Sequence, residues 1–147
     1  MMFILSAIHP AAYSLERLVY YDYLIVHSGD VESAPASLHP PLPHRSGEQL
    51  VRHEIISNGL DLMFSRELIE KVFDANGITY RANALTQPFL GHLRSEYAAQ
   101  LRDRAEWVAN MFKHMSDDEI AAYMRENLTV WGGEYKLEAV IRGLEHE

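Results

Sequence analysis

The eight histidines are the residues with the most obvious chemical capacity, and two groups of them need testing. On one predicted helix, His53-Glu54-Ile55-Ile56-Ser57 begins like a zincin motif, in which two imidazoles one helical turn apart share a zinc ion and the glutamate serves as base. Ser57 stands where the second imidazole is required, so the run reads as a solvated helical His and Glu. Upstream, His27, Asp30, His39 and His44 offer nitrogen and oxygen donors, but their spacing matches no metal motif. Capping and loop-anchoring hydrogen bonds are the roles it favours. Ser28 beside His27 is no nucleophile pair, because adjacent side chains seldom face each other and no third group orients the imidazole. A glycine-rich strand-to-helix loop and a Gly-Lys-Ser or Gly-Lys-Thr run are both missing from the sequence, which argues against a nucleotide site. The expectation is a protein that is not an enzyme and carries no metal or cofactor of its own.

Composition narrows the classes further. A chain of 147 residues that is 48% apolar can bury a sizeable core. It contains no cysteine, which removes disulfide and thiol chemistry. Thirteen Lys plus Arg against 21 Asp plus Glu give a net charge of -8, the wrong sign for a general phosphate-backbone binder. The apolar run from Met1 to Ile8 is far shorter than the ~20 residues of a bilayer span, and no basic segment precedes it. A soluble, unprocessed cytoplasmic protein is expected.

Hydrophobic periodicity then sets out the elements. Leu15, Leu18, Val19, Asp22, Tyr23 and Val26 recur at helical spacing from Ser14 to His27, with Gly29 as the stop. Asp22 lies on that apolar stripe and calls for a buried partner or a ligand, the partner being favoured. Asp30 to Arg45, with four prolines, reads as an extended connection, unusually long unless it has a function. Ser46 and Gln49 make a capping box for a helix with Leu50, Val51, Ile55 and Ile56 on its apolar side, ending at Gly59. A short helix, Leu60 to Arg66, follows. Leu68 to Phe73 and Ile78 to Ala82 then flank an Asn76-Gly77 turn as a hairpin, although the first of these also fits a helix. Helix, short helix and hairpin in that order is the layout of a winged helix-turn-helix.

Beyond the hairpin, Thr86 and Pro88 open a helical region with Ser95 as a second start. Ser116 and Glu119 form another capping box ahead of Ile120, Tyr123, Met124 and Leu128, and Leu137, Val140, Ile141 and Leu144 repeat at helical spacing. The fold class read from this pattern is mainly α: a helical domain with a winged helix-turn-helix-like core and one small β-hairpin. It is organised as a domain over 1–115 and an acidic helical extension, 116–147, packed on it. A winged helix invites a DNA-binding reading, yet His44 to Arg81 carries five basic and six acidic residues. Leu60-Asp61-Leu62-Met63-Phe64-Ser65-Arg66 offers one Arg for base edges or phosphates, which favours docking on protein.

Several of these stretches resemble a known family. Asp22 through Asp30, Ser37-Leu38-His39-Pro40-Pro41-Leu42-Pro43-His44-Arg45-Ser46-Gly47-Glu48, Gly77-Ile78-Thr79-Tyr80-Arg81-Ala82, Pro88-Phe89-Leu90 and Tyr97 through Trp107-Val108 look like the middle component of bacterial ABC three-component systems. The resemblance spans Ala11 to Phe112 and is most specific between His27 and Glu48. It implies a non-catalytic accessory subunit that links an SMC-like ABC ATPase to an effector, often a nuclease, as in Lamassu-type anti-phage defence, with DNA met only indirectly through the complex. In that setting His27, Asp30, Leu38, His39, Leu42, Arg45 and Glu48 are expected to form an ordered ledge at a partner surface. The equal alternative is that this loop caps the domain's own core. Other functional classes are a winged-helix transcription regulator and, less favoured, a metal-dependent hydrolase.

Overall fold

A computed structural model describes residues 1–40, 45–75, 77–128 and 130–131, with the backbone alone over 45–50. Among the described residues the elements run in chain order as helix α1 (Met2–Ile8), strand β1 (Tyr13–Ser14), helix α2 (Leu15–Val26), a short 3-10 helix (Ser28–Asp30), helix α3 (Arg45–Ser65), strands β2 (Ile69–Asp74) and β3 (Gly77–Ala82), helix α4 (Thr86–Leu90), helix α5 (Glu96–Phe112) and a helical run α6 over 117–128. The chain is mainly helical with a small antiparallel sheet, as its periodicity predicts.

Helix α2 is the centre of the molecule. Ser14 caps it by accepting from the Arg17 amide at 3.3 Å, and its side chains are buried on most of its circumference, Leu18, Tyr21, Tyr23 and Leu24 completely. A helix apolar on nearly every side must be covered on nearly every side. Helix α3 lies along one flank and α5 along another, while the sheet meets its N-terminal end. Met2 to Ile8 is also a helix, packed against α5 through the fully buried Ile4 and Leu5. The run 117–128 lays Ile120 and Met124 into the same core.

Helix α3 departs from the sequence expectation. The two helices expected on either side of Gly59 are one uninterrupted helix, so the helix-turn-helix step is not formed in this stretch. A mid-helix glycine costs about 1 kcal/mol relative to alanine, and burial of Ile56 and Leu60 on both sides of Gly59 outweighs that local preference. The helix ends instead at Glu67, which takes the left-handed conformation at φ 60°. The Leu68 amide reaches Met63 O and the Glu67 amide reaches Phe64 O, each at 3.0 Å, completing a Schellman stop with a non-glycine at its turning residue.

The hairpin forms as expected, and Leu68 to Phe73 is strand rather than helix after its first residue. Its register runs from Ile69 opposite Ala82 to Asp74 opposite Gly77. Gly77 has φ 112°, a conformation that side chains resist; Asn76 lies outside the described residues. Tyr13 and Ser14 pair with Tyr80 and Thr79 and turn the hairpin into a three-stranded sheet of order β1-β3-β2. A two-residue strand carries no detectable alternation, so periodicity does not reveal it. Helix α5 starts at its expected cap, where Ser95 accepts from the Ala98 amide at 3.0 Å. The Ser116–Glu119 box closes as well, its two hydrogen bonds measuring 3.2 and 3.4 Å.

One cation holds the ends of three helices together. Arg17, 4% exposed, donates from Nη2 to the carbonyl of Phe112, the last residue of α5, at 3.2 Å and to Met115 O in the turn beyond it at 2.7 Å. Its Nη1 meets Asp117 at 2.9 Å at the start of α6. Nε and Nη2 also donate to the Tyr21 hydroxyl, and the guanidinium lies 4.1 Å from the centre of the Tyr13 ring. Burial works against the charge, but the hydrogen bonds to Asp117 and Tyr21 prevail and hold the Arg17 pKa above its ordinary value. Burial likewise pushes the Tyr21 phenol up to about 12, although Arg17 beside it pulls the other way.

Two outcomes follow for stability. Arg17→Ala leaves the Phe112 and Met115 carbonyls and the Tyr21 hydroxyl without this donor, so urea unfolding should show a loss of about 3 kcal/mol. The unfolded chain gives up the Tyr21 proton near pH 10, whereas the folded one holds it to about 12. Stability from this group is therefore complete below about pH 10 and declines as pH rises toward 12. Unfolding midpoints at pH 9 and 11 should fall less in Tyr21→Phe than in the parent.

Candidate functional site

The C-terminal end of α2 gathers the residues that the sequence marks between His27 and His39. His27 is buried at 2% exposure, its ring 4.8 Å from Tyr23 and 6.2 Å from His39, centre to centre. The Tyr23 hydroxyl donates to Asp30 at 2.5 Å. His39 Nε2 lies 2.6 Å from the Tyr97 hydroxyl, with the two rings stacked. Trp131 stacks on the other side of the array, 5.8 Å from Tyr23.

The segment after α2 is clasped to this array mostly by its backbone. Val26 O accepts from the amides of Leu38 and His39. The Ser28 hydroxyl, fully buried, lies 2.9 Å from Pro35 O and 3.0 Å from Ala36 O. Gly29 donates to Ser37 Oγ at 2.9 Å, a closeness that glycine permits, since a Cβ there would come within 2.7 Å of the same oxygen. Arg104 on α5 donates to Ala36 O. Apart from Val31 the segment 31–40 is half-buried or exposed, and the carbonyls of Pro35 and Ala36 find donors inside the chain.

Of the seven residues expected at a partner ledge, the described four thus contact their own domain: His27 by burial, Asp30 through Tyr23, Leu38 through Val26 and His39 through Tyr97. Leu42 lies outside the described residues, as do the side chains of Arg45 and Glu48. Asp22 finds the internal partner expected of it in an ion pair with Arg52 on α3.

Among the described residues the chemistry-bearing groups do not converge. Ser28 is committed to two carbonyls, and His53 and Glu54 are exposed on α3. Among the described residues no group of three or more His, Asp or Glu is placed to hold a metal ion. Among the same residues, no helix is long and apolar enough to cross a membrane.

What the surface does offer is apolar area. Val51 and Ile55, expected on the buried side of their helix, are exposed, and the core is met instead by Ile56 and Leu60. Beside them a cavity of about 320 Å³ is lined by Met1, Asp22, Ile55, Gly59 and Met63 among others. At the hairpin tip Phe73 and Ile78, cross-strand partners, are exposed together. The sequence holds one signal for the α3 face: Val51, Ile55, Ile56 and Leu60 cover an arc too wide for a single buried stripe. Nothing in a period-2 pattern marks Phe73.

A helical body with a clasped loop and apolar faces directed outward has the make-up of a protein-docking component. The chain belongs to the family described as ABC-three component (ABC-3C) system Middle Component 2, which it matches over residues 1–134. The match reaches past Ala11 and Phe112 at both ends and so takes in α1 and α6. A component of such a multi-subunit system works with protein partners. No match is found among curated proteins or among solved structures.

Ser28→Ala removes the one hydroxyl proton shared between Pro35 O and Ala36 O, the second of which keeps Arg104, and should lower stability by about 1 kcal/mol. His39→Ala should weaken the clasp by about 1 kcal/mol through loss of the Tyr97 contact. Amide exchange across residues 29–39 should accelerate in both variants, as read by mass spectrometry.

Proposed function

We propose that this chain is a non-catalytic accessory subunit that connects an SMC-like ABC ATPase to an effector nuclease in a cytoplasmic anti-phage complex of the Lamassu type. The observation that carries this reading is the pair of exposed apolar faces on separate elements, Val51 with Ile55 on α3 and Phe73 with Ile78 on the hairpin, in a member of a middle-component family. Two faces allow two protein neighbours to be engaged at once. The surplus of acidic residues complements basic partner surfaces and leaves DNA contact to the ATPase. Leu42, Arg45 and Glu48 remain candidate partner contacts in this reading.

Co-expression with the two neighbouring subunits, each also omitted in turn, tests the reading by size-exclusion chromatography. The chain should co-elute with either neighbour alone, and Phe73→Asp combined with Ile78→Asp should release one neighbour and retain the other. Elution of the parent chain by itself in every combination would overturn the assignment. So would a hydrolase or nuclease turnover that survives repurification and is abolished by His53→Ala or Asp30→Ala.

A further inference from the structure

The small sheet ends on one side in an open edge. In its order β1-β3-β2, strand β2 has β3 on one flank and, among the described residues, no strand on the other. Asp74 stands opposite Gly77 with two residues between them, so the ladder bonds fall on Asp74, Val72 and Glu70. The amides and carbonyls of Lys71 and Phe73 then point away from β3. The Thr79 hydroxyl, 3.0 Å from Val72 O, fixes the same phase, because it reaches only a carbonyl turned toward its own strand. Among the described residues no backbone group meets the main chain of Lys71 or Phe73 on the open flank.

An edge of this kind is a template for another strand, and proteins guard it with lysine, proline or a bulge. The one lysine of β2 does not stand guard. Its Nζ lies 4.5 Å from the centre of the Phe64 ring and 3.4 Å from Asp61, drawn back over the end of α3. The strand holds no proline, and its register runs from Ile69 to Asp74 without a bulge. Ile69 with Ala82, Lys71 with Tyr80 and Phe73 with Ile78 share one face of the hairpin. Ile69, Ala82 and Tyr80 are buried, whereas Phe73 and Ile78 continue that face outward at 74% and 46% exposure.

We propose that the outer edge of β2 receives an extended segment of another component of the same system, which adds a fourth strand to the sheet and lays an apolar side chain beside Phe73. The extended form follows from the backbone. The outward donors and acceptors at Lys71 and Phe73 are matched by the main chain of a strand and not by a helix, whose own groups are already paired. A second copy of this chain is a poor occupant. Antiparallel self-pairing centred on Glu70, Lys71 or Val72 sets Glu70 against Glu70, Lys71 against Lys71 or Glu70 against Asp74 of the copy, like charges directly opposite in every case.

This inference rests on the accessory-subunit reading, and its experiments separate the two. Amide exchange is followed residue by residue in the chain alone and in the chain assembled with the other two components. Exchange at Lys71 and Phe73 should slow about tenfold or more on assembly. Lys71→Pro removes one outward N–H and keeps the ladder bonds of Glu70 and Val72, since an edge strand tolerates proline where its N–H faces solvent. It should lower recovery of one component about tenfold, with the circular dichroism of the variant unchanged. Lys71→Thr loses the same side chain but keeps the N–H, and its recovery should match that of the parent.

Unchanged exchange at Lys71 and Phe73 in an assembled complex would overturn strand addition and leave the accessory role standing. Equal recovery with Lys71→Pro and Lys71→Thr would do the same. If Lys71→Pro fails to fold, the exchange measurement on the parent decides alone. Protection of these amides in the isolated chain that grows with its concentration would give the edge to a second copy and overturn the proposed occupant. If the parent chain forms no complex at all, both readings fall.

Discussion

Burying a guanidinium is costly unless each of its donors finds an acceptor, and the position of Arg17 sets that requirement near the start of α2. Most of the acceptors come from far along the chain: the carbonyls that end α5 and the carboxylate that opens α6. A helix leaves its last carbonyls short of intrahelical donors; Phe112 O takes the Met115 amide and the Tyr21 hydroxyl as well as the guanidinium, so the cation binds the helix end to α2. Tyr21 supplies the remaining acceptor and is itself kept protonated by burial. A shift of α5 along its axis by one turn would remove both of its carbonyls from the guanidinium at once, so the contact specifies register as well as adding stability.

The same helix directs its other polar side chains to its other neighbours. Asp22 pairs with Arg52 on α3; Tyr23 reaches Asp30 at the head of the proline-rich segment; His27 packs against Tyr23 and His39. Apolar packing alone would tolerate rotation of α2 among its neighbours, since nearly all of its faces are hydrophobic. A polar group placed on each face removes that freedom, because any rotation strands one of them without its partner.

This division explains which parts of the fold are legible in the sequence. Local rules succeed where the local contact is the one that forms. Ser14, Ser95 and the Ser116–Glu119 box mark helix starts, and the Asn76-Gly77 pair marks a hairpin. They fail where a distant contact prevails. Gly59 reads as a stop, yet Ile56 and Leu60 are held against α2 and the helix continues to Ser65, turning out at Glu67, a residue with no stop signal. Strand β1 has no pattern because it exists only as a partner for Tyr80 and Thr79. Within the candidate site, Asp22 is recognisable as a charge on an apolar stripe and His39 has the loop-anchoring role its spacing favours, whereas no sequence signal marks the anchoring role of Ser28. The exposed ridge of α3 is harder to see, because Val51 and Ile55 have the same residue types as the core positions beside them.

The proposed connecting role requires faces held in fixed relation, and the joint between α3 and the hairpin has bonding of that kind. Asn83, just past β3, donates its side-chain amide to Glu67 O at 2.8 Å, at the turn that ends α3. The fully buried Thr86 donates to Leu68 O at 2.7 Å and accepts from the Asn83 amide at 2.9 Å. Glu70 and Arg81 bridge the two strands directly above, with a shortest contact of 2.6 Å. These bonds join the last turn of α3, the first residue before β2 and the exit of β3 into one unit. The apolar residues at the hairpin tip and those along α3 are therefore carried by a single rigid corner. Displacing one face relative to the other would require breaking the part-buried hydrogen bonds of Thr86, each worth about 1 kcal/mol.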